Sequence, residues 1–137
     1  LVCVTENDAC CVDAIQCLLG CTYGKANLIP RLRGKMAFTF FVRDENSSAA
    51  KAVRLFLKPE AGEGMSRDEY QNYLLNTPYT ELFEVLEPRI ALPEPARHFA
   101  SEHCSVCGEY TAEYGLRLQD GKTVCLDCYS AYEREGF

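Results

Sequence analysis

Apolar and polar positions along the chain change period several times, and each change marks an element. Val2 and Val4 alternate in the opening segment, which predicts a strand. From Cys10 to Leu19 the apolar residues recur at helical spacing, with Asn7 or Asp8 placed to cap that helix and Gly20 to stop it. Residues Thr22 to Leu28 read as a loop held between Gly20 and Pro30. Lys35 to Arg43 is rich in aromatic and β-branched residues, as a strand buried on both faces would be, and Asp44 to Ser48 is turn chemistry. Val53, Leu55 and Leu57 then alternate with Arg54 and Phe56, the pattern of a hairpin partner. Ser66 and Glu69 form a capping box, opening a helix through Tyr70, Tyr73, Leu74 and Leu75. Thr77-Pro78 predicts a second cap and a short helix through Leu82, Phe83 and Leu86, and the tyrosines at 70, 73 and 79 are expected in the core. Pro88 to Pro95 reads as a stiff extended linker.

Beyond the linker the pattern is set by cysteine. Cys104-Ser-Val-Cys107 and Cys125-Leu-Asp-Cys128 are two CxxC pairs separated by seventeen residues. Each pair can grip one ion from two directions, and a hairpin across Glu109 to Val124, turning at Asp120-Gly121, brings the pairs together. Four thiolates at about 2.3 Å close a tetrahedral shell on Zn²⁺ and leave no position for substrate, so the site is structural. A thioredoxin-like dithiol or two disulfides fits less well, because a redox CxxC comes singly at a strand–helix junction. A helix over Leu126 to Glu135 after the second pair predicts a treble clef, where a plain zinc ribbon would end in another strand. His103, beside Cys104, is expected near the site without replacing a thiolate.

Composition narrows the setting. The chain has 137 residues, 47% apolar and 25% charged, enough for one modest core and a small appended module. No run of about eighteen apolar residues is present, so no membrane partner is expected. Nine cysteines, four of them in a metal pattern, fit a reducing cytoplasm better than a disulfide framework. Charge is uneven: residues 1–57 carry seven Lys/Arg against five Asp/Glu, and residues 58–137 seven against fifteen. Residues 101–137 hold three basic and seven acidic residues, and a four-thiolate zinc site adds a further formal −2. Nucleic-acid binding draws on Lys and Arg neutralising phosphates, so this finger would repel a phosphate backbone.

The segments Glu6-Asn-Asp-Ala-Cys-Cys-Val-Asp-Ala-Ile-Gln16, Gly20-Cys-Thr-Tyr-Gly-Lys-Ala-Asn-Leu28 and Gly34-Lys-Met-Ala-Phe-Thr-Phe40 carry a resemblance. Over roughly residues 2–57 the chain resembles the E-type accessory family of formylmethanofuran dehydrogenase, with Ala26 where that family usually has a second glycine. The resemblance implies an α+β fold, in some members followed by a treble-clef zinc finger. It also implies a link to formation of formylmethanofuran from CO₂ on a molybdenum or tungsten pterin held by other subunits of an oxidoreductase complex, this chain being accessory. Members normally begin with a His-Gly-His-x-Cys-Pro-Gly segment that supplies histidine and cysteine to the presumed cleft. Nothing like it precedes Leu1, so the start is expected to be missing and the cleft incomplete.

The expected architecture is thus an α+β core with a small antiparallel sheet and helices over 1–97, and a treble-clef finger over 98–137. Core candidates are Cys10, Asp13, Gln16, Cys21, Thr22, Lys25 and Asn27. Cys10 stands at a helix N-terminus, where the dipole favours a thiolate, and is the candidate nucleophile or ligand of a second metal; Asp13 and Lys25 are the candidate acid–base or anion-binding groups. Cys10 and Cys17 are about 10 Å apart along a helix, too far to share one ion. Cys11, Cys17 and Cys21 read as small buried hydrophobes. Thr22-x-Gly-Lys25 lacks the full phosphate-loop pattern. Alternatives to the accessory role are a small metal- or thiol-dependent enzyme using Cys10 and an interaction module docking through the acidic finger. The apolar hairpin at 36–57 over a thin core suggests a homodimer.

Overall fold

Strong β-formers at the chain start and at 37–42 nucleate one sheet. The computed structural model describes residues 1–43, 51–59 and 62–134, and the chain divides into two compact units, Leu1–Pro95 and Ala96–Phe137. In the first, β1 (Val2–Thr5) is buried along its whole length. It pairs in parallel with β2 (Leu28–Pro30) and antiparallel with β3 (Ala37–Val42). β3 pairs with β4 (Lys51–Leu57), and β4 with β5 (Phe83–Leu86), giving the order β2-β1-β3-β4-β5. The turn predicted at 44–48 lies outside the described residues.

Both faces of the sheet are covered. On one, Cys3, Cys21, Leu28 and Phe38 pack against α1 (Cys11–Leu19) through Cys11, Val12 and Ile15. On the other, Val2, Val4 and Phe41 pack with Ile29, Ala52, Ile90 and Leu92. Ile90 and Leu92 belong to the segment predicted as a linker. It is instead a cover for the sheet, and Arg43 Nη2 donates 2.7 Å to the Pro93 carbonyl. Its prolines hold it extended, and its alternating apolar residues give it a face to bury.

α1 stops where predicted, with Gly20 left-handed at φ 64° and its N–H on the Gln16 carbonyl. Its start differs: Cys10 is the N-cap residue and makes no side-chain cap bond. Asn7 Oδ1 is engaged one turn earlier, accepting from Ala9 N at 3.1 Å. α2 (Arg67–Asn76) has the full predicted capping box, Ser66 N donating to Glu69 Oε2 at 2.8 Å. It buries no residue; Tyr70 and Tyr73 are half-buried and Tyr79 is exposed, so the three tyrosines are not core. Polar residues dominate this helix, and Leu75 points to solvent, so it offers no continuous apolar stripe. The helix predicted through Leu86 ends at Leu82: α3 spans Tyr79–Leu82, Thr77 closes α2, and Phe83 turns extended. The backbone groups along β4 give Phe83–Leu86 a ladder to complete, which outweighs helix propensity.

The second unit contains two hairpins. β6 (Ser101–His103) pairs with β7 (Tyr110–Ala112), and β8 (Leu116–Gln119) with β9 (Lys122–Cys125). A single 3₁₀ turn, Glu113–Gly115, joins them. The predicted Asp120-Gly121 turn is present with φ of 51° and 75°, both left-handed as a tight hairpin requires. The helix predicted from Leu126 is not: 126–128 form a turn, and no helix follows among the described residues up to 134. Cys128 N and Tyr129 N both bond the Cys125 carbonyl, and Ser130 N bonds Gln119 Oε1 at 2.8 Å. With Leu126 and Tyr132 exposed, this stretch has no apolar face to bury, and so short a helix is marginal without one. The fold is therefore α+β, with small antiparallel sheets, three helices among the described residues and a C-terminal four-cysteine cluster.

Candidate metal centre

Local backbone geometry builds the first knuckle. Gly108, left-handed at φ 77°, reverses the chain so that its N–H reaches the Cys104 carbonyl at 2.9 Å, while Cys104 N reaches the Glu109 carbonyl at 2.9 Å. Ser105 N donates to the Thr123 carbonyl at 2.9 Å, joining this knuckle to β9. Cys104 Sγ accepts from Val106 N at 3.4 Å and from Cys125 N at 3.3 Å. Those N–H groups point at the sulfur as they do at a bound thiolate, and Cys104 lies buried in a small cluster with Val124 and Cys125.

The sulfurs of Cys104, Cys107, Cys125 and Cys128 all lie within 4.8 Å of one another. Four sulfurs about 2.3 Å from a central zinc would lie about 3.8 Å apart, and Cys107 Sγ is 3.8 Å from Cys125 Sγ. The donor set and its spacing fit Zn²⁺. The thiols are already unequal: backbone N–H donors, from Cys107 first and Cys125 next, pull Cys104 down to about 6. Hydrogen bonds with the Cys125 and Cys107 thiols push Cys128 up to about 12. A divalent cation removes that conflict, because only it lets four sulfurs be thiolates side by side. His103 does not enter the cluster. Its Nδ1 donates to the Gly108 carbonyl at 2.9 Å and its ring meets Tyr110 edge-on at 4.6 Å, bracing the knuckle.

The core candidates are arranged differently. Cys10 and Asp13 are exposed on the first turn of α1, whereas Lys25 lies past its other end, near Gly20. A nine-residue helix is about 13 Å long, so the fold places Lys25 far from Cys10 and Asp13. Asn27 and Thr22 build the loop: Asn27 Oδ1 accepts from Thr22 N at 2.8 Å, its Nδ2 donates to Leu1 and Gly20 carbonyls, and Thr22 Oγ1 accepts from Lys25 N. Cys21 is fully buried and its thiol is pushed up by desolvation; Cys11 is half-buried; Cys17, expected inside, is exposed. Among the described residues, the four finger cysteines are the one group of three or more His, Cys, Asp or Glu side chains close enough to hold an ion.

Sequence reasoning missed the most tightly held polar group in the core. Arg54, 1% exposed, donates from Nε to Glu6 Oε1 at 2.7 Å and from Nη2 to Glu6 Oε2 at 3.0 Å. The Arg54 side chain is the first cause holding the Glu6 carboxyl below its usual range. An arginine inside an otherwise apolar alternating strand was the available signal; its partner, 48 positions away, was not.

Two families match. The family described as "FmdE, Molybdenum formylmethanofuran dehydrogenase operon" covers residues 1–87. The chain belongs to the FmdE family. The "Prokaryotic dksA/traR C4-type zinc finger" covers residues 99–134, the second unit of this FmdE-family protein. No curated protein matches the chain. In this FmdE-family protein, Ala26 adopts φ 56°, the left-handed conformation that a glycine takes without strain.

Proposed function

We propose that this protein is a zinc-binding accessory component of an oxidoreductase system of the formylmethanofuran dehydrogenase type. The observation that carries the reading is the four-sulfur cluster, joined in one chain to an FmdE-family core. Zinc held by Cys104, Cys107, Cys125 and Cys128 supplies folding free energy to a unit with little buried apolar surface, and its closed shell offers no catalytic position. The chain would work in a reducing cytoplasm, which its nine free cysteines support. No helix of the described residues is long and apolar enough to cross a membrane. Its partners would be other components of that complex, or a second copy of this chain meeting exposed apolar residues such as Leu18 and Leu19.

Elemental analysis of the purified wild type and of Cys104→Ser/Cys125→Ser tests the reading. One zinc per chain, lost in the double variant, supports it; a wild type without zinc removes it. Metal persisting in the double variant would favour the thiol- or metal-dependent enzyme instead, with Cys10, exposed at the start of α1, as the first residue to exchange for serine and Asp13 and Lys25 next. The interaction-module reading has its own support in the acidic finger, where Val106, Tyr110, Tyr114 and Leu118 are all exposed.

A further inference from the structure

The buried Glu6–Arg54 pair is more than a strut. A buried ion pair gives back in attraction roughly what it lost in hydration, so stability alone is a poor reason for a sheet to contain one. Arg54 forms part of the wall of a cavity of about 200 Å³, with Lys35, Phe56, Glu84, Leu86 and Arg89. The register explains why these side chains meet: Arg54 lies opposite Leu86 and Phe56 opposite Glu84, so adjacent strands contribute four of them from one sheet face. The guanidinium lies 5.8 Å from the centre of the Phe56 ring. Both Glu6 oxygens hold it from behind, which fixes its orientation before any ligand arrives. Lys35 and Arg89 are exposed at the rim. A second cavity, about 370 Å³, shares Lys35 and Phe56 and adds Met36, Leu57 and Lys58 among its walls.

We propose that this pair of cavities binds a small organic anion, its carboxylate or phosphate meeting Lys35, Arg54 and Arg89 and its apolar part lying along Phe56 toward Met36 and Leu57. With Glu6 balancing Arg54, the remaining lining groups of the smaller cavity are two cations and Glu84, an excess of positive charge suited to a singly charged head group. Glu84 works against binding and disfavours more highly charged ligands. Apolar walls with a few convergent polar groups are the usual composition of a small-molecule site. This site is independent of the zinc finger and of the residues around Cys10.

Titration calorimetry with benzoate, phenyl phosphate and inorganic phosphate, on the full zinc-loaded chain, tests the proposal. Saturable binding of benzoate or phenyl phosphate is expected, with a dissociation constant on the order of 1 mM or tighter; which of the two binds better identifies the head group. Arg89→Ala and Lys35→Met, both changes of exposed side chains, should each weaken binding about tenfold. Glu84→Gln should tighten it, and Lys122→Ala in the finger should leave it unchanged. No saturation by either aromatic anion overturns the proposal, as does equal affinity in Arg89→Ala, Lys35→Met and wild type. Inorganic phosphate binding as tightly as phenyl phosphate overturns the apolar half of the site. Zinc content and circular dichroism of each variant separate lost binding from lost fold.

Discussion

Leu1–Pro95 and Ala96–Phe137 reach order by different means. The first covers both faces of a five-stranded sheet, with α1 on one side and the Ile90–Leu92 segment on the other. The second buries a cluster of Cys104, Val124 and Cys125 and leaves Val106, Tyr110, Tyr114, Leu118 and Tyr132 exposed. Hydrophobic burial stabilises the sheet unit; in the finger, coordination has to replace it. One polypeptide thus carries one unit sensitive to core mutations and another sensitive to chelators and thiol loss.

The largest effect should come from removing the metal. Cys104→Ser, or a strong chelator, should unfold the finger and leave the sheet unit standing, because zinc supplies on the order of 10 kcal/mol to such a site. Limited proteolysis followed by mass spectrometry reads this directly. A finger that stays protease-resistant in Cys104→Ser would break the comparison.

Next in size is the buried pair. Arg54→Met alone, leaving Glu6 charged and unpaired, should cost the sheet unit about 3–5 kcal/mol, and Glu6→Met/Arg54→Met should recover much of that loss. Zinc content should not change in either variant. Denaturant melts combined with elemental analysis check both halves, and a simultaneous loss of zinc would show that the two units are not energetically separate.

Acid should separate the units through different groups. Glu6 has a folded pKa below its ordinary 4.5. Its contribution is therefore complete above that ordinary value and is lost as pH falls through the lower, folded one. Zinc ligands must be deprotonated, so the finger releases its ion as acid protonates the sulfurs. Zinc release followed by a metallochromic dye, beside sheet unfolding followed by circular dichroism, should give two transitions at different pH. A single shared transition would count against independent units.

The smallest effect sharpens the picture of the sheet unit. Ala26 occupies a left-handed conformation at φ 56°, so Ala26→Gly should relieve about 1 kcal/mol of strain, less whatever the unfolded chain gains in entropy. A thermal melt should show the sheet unit equal or slightly more stable and zinc affinity unchanged. A clear destabilisation would mean that the alanine methyl is packed rather than strained.

What could be read in advance follows the range of each signal. The CxxC pairs, the Asp120-Gly121 turn, the Ser66–Glu69 capping box and the Gly20 stop each act within a few residues, so their chemistry is complete in the sequence. The FmdE-family motifs were legible for the same reason, although much of what they encode is scaffold: Asn7 bonds Ala9 N and the Lys35 carbonyl, and Asn27 ties its loop to Leu1. Tertiary structure decided the rest. Phe83–Leu86 became a strand because β4 had an edge to fill, Pro88–Pro95 became a cover because Val2, Val4 and Phe41 had a face to bury, and Leu126 onward stayed unwound because nothing there received its apolar residues. Glu6 and Arg54 stand 48 positions apart and meet only through the register of β1, β3 and β4. Turns, caps and metal knuckles are local arrangements between neighbours, whereas burial and pairing depend on which distant surface arrives, and that is settled only when the whole sheet has formed.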